Sequence, residues 1–331
     1  MNKNELAFHM TFRETLSSAK RLVMNSVPET DARLRKLMAF GLNSHTPSAY
    51  PFVLKYSFCR RERDGQKILK MAAALHLLQQ SALITDDIFD SGELRYKDRP
   101  VYLNYDVNHA IIAAELLQAI ALRCVCEEGA KECFRNDSIA CKLLNEILVD
   151  VYVGQYLDIS NTSRLSITRR EYYRMIALGS ARVFQKVACC GALLAGKPEE
   201  EIHFLSKFAY SYGMALFILD DTIDMLPSRA TGKTYASDLK GRRMRLPIIM
   251  ALQLANRSQR QLLHRFLRKK ALRKQSIEQV AAVIRDCGAL QASLLIANRY
   301  LNSSLRSLAR LQPSLTTQRF RWLAERLLLL A

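Results

Sequence analysis

Two short acidic runs stand out in this chain, Asp86-Asp87-Ile88-Phe89-Asp90 and Asp220-Asp221-Thr222-Ile223-Asp224. On a helix, residues i and i+4 share a face, so Asp86 and Asp90 project together, and Asp220 and Asp224 repeat the arrangement. Like charges on one turn repel unless a cation neutralises them. Carboxylate oxygens are the hard ligands magnesium takes, and magnesium is commonly shared with substrate phosphate oxygens. Two such clusters facing each other would hold a diphosphate between them and stabilise it as a leaving group. One run alone is equally well an acidic, solvated helix end. Two copies favour metal binding, since each follows an apolar stretch (Ala82-Leu83-Ile84 and Leu216-Phe217-Ile218-Leu219) and each precedes a basic loop.

The elements that must carry these runs are helices. The 331 residues contain only 12 Gly and 8 Pro, too little punctuation for an all-β or doubly wound fold of this size. Apolar steps of three and four residues mark helices over 67–90, 110–126, 139–159, 170–195, 199–226, 246–267, 276–311 and 317–330. Breaks are expected at Ser91–Pro100, Gly196–Pro198, Pro227–Tyr235 and Gln312-Pro313. No Gly-, Ser- or Pro-rich linker divides the chain. The expectation is one all-α domain, residues 1–331, of eight to ten long helices.

Net charge is +18, from 49 Lys+Arg against 31 Asp+Glu. The basic stretch His264–Lys274 reads as a solvated helix face, because no zinc finger, RNA-binding motif or aromatic interleaving accompanies it. The eight Cys form no CxxC pair and sit mostly among apolar residues, which predicts reduced, buried thiols and a cytoplasmic protein. The N-terminus lacks a signal-peptide core, and no run of about 18 apolar residues is evident for a membrane span.

The sequence resembles the polyprenyl (isoprenyl diphosphate) synthase family over about Pro51 to Pro247. The matching residues are Ala72–Asp87, Leu94-Arg95, Gly154-Gln155-Tyr156-Leu157-Asp158, Gly191–Gly196, Gly232-Lys233, Asp238-Leu239 and Leu246-Pro247. The resemblance implies an all-α isoprenoid synthase bundle around a central cavity, usually as a homodimer. It also implies about three Mg2+ ions bridging the aspartates to a long allylic diphosphate, whose ionisation gives a carbocation that an acceptor attacks. Carried over residue by residue, Asp86, Asp90 and Asp220 are direct metal ligands. Asp87, Asp221 and Asp224 support them or bind through water. Arg95 and Lys233 grip the allylic diphosphate. Gln155 and Asp158 share a helix face, as a buried hydrogen-bonding pair or with a catalytic role. The small Ser81 and Ala82 agree with a deep pocket for a C15–C20 tail.

Departures from the family pattern concern the acceptor. His45-Thr46-Pro47-Ser48-Ala49-Tyr50-Pro51 stands where family members that use isopentenyl diphosphate carry a Lys- and Arg-bearing segment. Tyr96 replaces the second of two arginines, Leu216-Phe217 replaces Phe-Gln, and Gly179-Ser180 replaces Lys-Thr, with Arg182 one turn on as a substitute cation. Losing three diphosphate partners costs on the order of 1.5–3 kcal/mol each. Tyr50, Tyr96 and Phe217 offer faces for a planar acceptor or a carbocation. The expectation is prenyl transfer from a geranylgeranyl-sized donor to a small-molecule acceptor other than isopentenyl diphosphate. An indole such as indole-3-glycerol phosphate, used by family members in indole-diterpene pathways, fits that description. The alternatives are a chain-elongating geranylgeranyl or polyprenyl diphosphate synthase, a terpene cyclase acting on one diphosphate, and a non-catalytic partner subunit.

Overall fold

In a computed structural model the described residues are 2–42, 49–58, 65–94, 98–131, 136–162, 164, 166–225, 236–269 and 273–328, without the side chains of 127–139. Among them the chain is α-helical and no β-strand occurs. The helices are α1 (Lys3–Ser26), α2 (Ala32–Gly41), α3 (Ala49–Phe58), α4 (Gly65–Asp90), α5 (Val101–Asn104), α6 (Val107–Lys131), α7 (Asn136–Asn161) and α8 (Arg169–Ile176). A π-helical turn, Ala177–Ala181, joins α8 to α9 (Arg182–Leu194). Then follow α10 (Glu199–Ile223), α11 (Ser237–Lys240), α12 (Leu246–Leu254), α13 (Arg257–Arg268), α14 (Lys274–Asp286), α15 (Ala289–Leu308) and α16 (Leu315–Leu328).

The sequence reading needs three corrections here. It did not delineate α1–α3. It ran 246–267 together, whereas Asn256 caps a new helix at Arg257 through reciprocal bonds with Gln259, 2.9 and 3.0 Å. It also ran 276–311 together, whereas Gly288 at φ +80° turns the chain by 60° between α14 and α15.

The chain forms two compact units, each built from three separate stretches. The first comprises residues 1–148, 186–206 and 311–322. Its centre is α4, buried on every side from Met71 to Leu78 as it packs against α6, α1 and α3. Phe8, Phe52, Tyr56 and Trp322 form an aromatic cluster beside it, with ring centroids 4.6–6.0 Å apart between neighbours. The second unit comprises 149–185, 207–310 and 323–331. There α15 packs on α12 and α14, and α8 on α12.

The absence of membrane-length apolar helices also needs correcting. By length and composition Val107–Cys126, Arg169–Leu194 and Glu199–Ile223 are long and apolar enough to cross a bilayer. Within the fold, 44, 67 and 56% of their apolar windows are buried, so these side chains serve the helical core.

Candidate active site

Both acidic runs close long helices. Asp86–Asp90 forms the last turn of α4, and Asp220–Ile223 the last turn of α10, with Asp224 just beyond. Neither last turn contains a basic residue. The C-terminus of a helix carries roughly half a negative charge, so acidic side chains there add to repulsion that a cation would relieve.

In the first run, Asp90 is exposed, Asp86 half-buried and Asp87 buried. The chain leaves α4 through Ser91, a non-glycine residue at φ 51°, and the Gly92 amide donates to the Asp87 carbonyl at 3.0 Å. Tyr102 donates to the Gly92 carbonyl at 3.0 Å, and burial, then the charges of Asp87 and Glu93, raise its pKa. In the second run, Asp220 is exposed while Asp221 and Asp224 are buried. The accessible positions Asp86, Asp90 and Asp220 are those expected to bind metal directly.

The two buried carboxylates of the second run are held by the surrounding unit. Asp224 accepts from the Ser237 hydroxyl at 2.6 Å, the Ser237 amide at 3.2 Å and the Asp238 amide at 3.1 Å. These bonds tie the end of α10 to the start of α11. Asp221 accepts from the Tyr172 hydroxyl at 2.6 Å and lies 3.5 Å from Arg245 Nε. The same guanidinium donates to Asp238 at 3.1 Å and to both oxygens of Asp158 at 2.6 and 3.1 Å. Arg243 makes a further ion pair with Asp158.

This core holds three acidic side chains (Asp158, Asp221, Asp238) around two guanidiniums, one acid more than the cations away from water. Burial raises the pKa of Asp221 and lifts Asp238 to about 7, with Arg245 opposing both shifts. Burial alone would lower Arg245, but Asp238, Asp158 and Asp221 outweigh it and fix its charge. Tyr172 is likewise raised, by burial and then by Asp221, so it stays a donor.

Sequence reasoning missed Tyr172, Arg243 and Arg245. The two arginines lie in Gly241-Arg242-Arg243-Met244-Arg245-Leu246-Pro247, where they read as part of the general basic excess. The signal was their closeness to Asp238 and to the proline that opens α12. Asp158 forms ion pairs with these arginines, and Gln155 is half-buried one turn before it.

Gly154 is required by a close approach. A Cβ there would lie 2.5 Å from the Gly179 nitrogen and 2.7 Å from its Cα, so α7 meets the π turn backbone to backbone. Gly179 itself faces open space. Arg182, considered a substitute for the missing lysine, pairs with Asp150 at 3.2 Å.

Phe217 is half-buried on α10, one turn before Asp220 and Asp221. Ser81 is buried, and its hydroxyl accepts from Gln118 Nε2 at 2.7 Å. A small hollow, open to solvent, lies further back in the first unit, lined by Met71, Cys124, Val125 and Leu194 with Lys67 and Lys70. Met71 precedes Asp86 by 15 residues, or about 22 Å of helix. Arg95, Tyr96, Lys233 and residues 45–48 lie outside the described residues.

Among the described residues no three His, Cys, Asp or Glu side chains converge into a ready metal cage. Magnesium fits such an arrangement. It keeps several waters and binds through one or two carboxylates plus substrate phosphates rather than a dedicated protein cage.

A family profile of polyprenyl synthetases matches residues 35–284. The geranylgeranyl diphosphate synthase of Sulfolobus acidocaldarius is 23% identical over 304 residues, 91% of each chain. A decaprenyl diphosphate synthase from Rhodobacter capsulatus superposes with a TM-score of 0.85 at 20% identity, covering 98% of this chain and 97% of that one. A polyprenyl synthase from Caulobacter crescentus, solved with calcium and isoprenyl diphosphate, superposes at 0.83 with 19% identity over 95% of this chain and 94% of that one.

Proposed function

The chain belongs to the polyprenyl synthetase family and is a prenyltransferase, and from that premise we propose that it extends an allylic diphosphate with isopentenyl diphosphate, using magnesium. This is the chain-elongating alternative of the sequence reading. The names of its relatives favour it over an indole acceptor. The observation that carries the reading is the pair of aspartate turns, each at the negative end of a helix and each without a basic neighbour in its last turn.

Magnesium, about three ions, would supply charge that offsets the diphosphate leaving group. Asp86, Asp90 and Asp220 are the proposed direct ligands, being the accessible members of their runs. Asp87, Asp221 and Asp224 hold the turns in shape. Arg95 and Lys233 are the proposed grips on the donor diphosphate, with Gln155 beside it. Ser81, small and buried, is compatible with a C15–C20 tail.

A second reading, transfer to an acceptor such as indole-3-glycerol phosphate, rests on one observation. Tyr50, Tyr96 and Phe217 replace cationic or amide side chains at the acceptor positions. One assay separates the two. Geranylgeranyl diphosphate and magnesium are supplied with isopentenyl diphosphate, with an indole acceptor, or with neither. A lengthened chain supports elongation. A prenylated indole supports the second reading, and a hydrocarbon from the donor alone supports a cyclase. No diphosphate release in any mixture would sink all three.

We also propose a homodimer. Val149, Tyr152, Val153, Tyr156 and Ile159 form an exposed apolar stripe on one face of α7, at 38–69% exposure. A patch of this kind suits a second copy of the chain, and sedimentation of the purified protein tests it. The two units are proposed to act as one catalytic domain of a cytoplasmic enzyme.

A further inference from the structure

Cys126 and Cys141 depart from the expectation of buried thiols. Of the six described cysteines only Cys124 and Cys190 are buried; Cys126 is exposed and Cys141 half-buried. The Sγ atoms of Cys126, in α6, and Cys141, in α7, lie 3.0 Å apart. A disulfide needs about 2.05 Å, so roughly 1 Å of side-chain movement would close one. Asn145 Nδ2 lies 3.7 Å from Cys141 Sγ and donates towards it.

The hydrogen bond within the pair, and then burial, push Cys126 up to about 11. Cys141 Sγ also accepts from Asn145 Nδ2, which makes it the sulfur placed to attack first. A thiolate reacts with hydroperoxides, and a neighbouring thiol resolves the product.

We propose that Cys126 and Cys141 are a thiol–disulfide pair that covalently ties α6 to α7 when the protein meets hydrogen peroxide. In the first step the Cys141 thiolate attacks a peroxide oxygen. An S–O bond forms, the O–O bond breaks and hydroxide leaves, leaving a sulfenic acid. In the second step the Cys126 sulfur attacks Cys141 Sγ. The S–S bond forms, the S–O bond breaks, and the hydroxyl departs with the Cys126 proton as water. Two thiols together lose two electrons and two protons, and one peroxide becomes two waters. The closed loop contains 14 intervening residues, counted from 127 to 140.

The test uses the full chain, reduced, then treated with a small excess of hydrogen peroxide. Free thiols are capped with N-ethylmaleimide, and the protein is digested and read by mass spectrometry without reductant. The expected product is a monomeric chain with a Cys126–Cys141 linked peptide pair that dithiothreitol separates. Cys126→Ser should leave a sulfenic acid on Cys141 that dimedone captures, and Cys141→Ser should yield no linked peptide pair. The proposal is overturned if both thiols remain open to N-ethylmaleimide after peroxide. A link from Cys141 to Cys133 or to a second chain overturns it equally.

Discussion

His76 gives this fold an acid sensitivity of calculable size. The imidazole is fully buried in the middle of α4, with the edge of Phe12 packed 5.8 Å away, centroid to centroid. Neither ring nitrogen has a hydrogen-bond partner among the described residues. Burial lowers its pKa from 6.5 to about 4. The unfolded chain takes the proton below about pH 6.5 and the folded chain only below about 4. The stability is therefore fully present above 6.5 and is lost as pH falls towards 4. The whole shift corresponds to about 3 kcal/mol, of which about 2 kcal/mol is lost by about pH 5.

Guanidinium unfolding of the parent and of His76→Leu, each at about pH 7.5 and about pH 5, measures this term. Their difference cancels the other titrating groups, including Asp238, whose raised pKa acts in the opposite direction. The parent should lose about 2 kcal/mol more than the variant on acidification. At neutral pH the variant should equal or exceed the parent, because an unsatisfied buried polar group has been replaced by an apolar one. Equal losses in the two proteins would refute a neutral, desolvated His76.

Gly154→Ala should cost about 3 kcal/mol through its clash with the Gly179 backbone, whereas Gly179→Ala meets open space and should be tolerated; thermal melts of the pair decide this. Arg245→Met should destabilise by about 3 kcal/mol because it strips charge from three buried carboxylates. Tyr172→Phe should cost about 1–2 kcal/mol, and urea midpoints equal to the parent's would contradict the network. Asp86→Ala and Asp220→Ala should each nearly abolish turnover while leaving helical circular dichroism intact, and retained activity would remove these residues from the metal site. Chelating divalent cations should silence the parent enzyme, which a turnover assay with excess EDTA checks.

The aspartate runs were legible because their chemistry is local: spacing on one helix fixes which carboxylates share a face. The long helices were legible too, since Ala110–Cys126 and Glu199 onwards keep a sustained apolar period. Helix ends set by single caps, such as Asn256, were not, because the apolar pattern runs straight across them. Arg243 and Arg245 were hidden for a different reason. An arginine in a basic sequence reads as surface, and Asp158, more than 80 residues away in the chain, pairs with both of them inside the fold. The acceptor residues at 45–48, 95 and 96 rest on sequence alone.

The π turn at Ala177–Ala181 is in effect one surplus residue accommodated inside an otherwise continuous rod. Deleting it would restore regular helix with the downstream side chains still on their present faces, because the wider turn already absorbs the extra residue. Phe184 would keep Tyr212, its edge-on partner at 5.2 Å. An ungapped alignment of 169–194 with a relative whose helix is regular would miss this. It would be in register on one side of the surplus residue and out of register on the other, so the count through Gly179 decides which positions of any relative compare with Arg182.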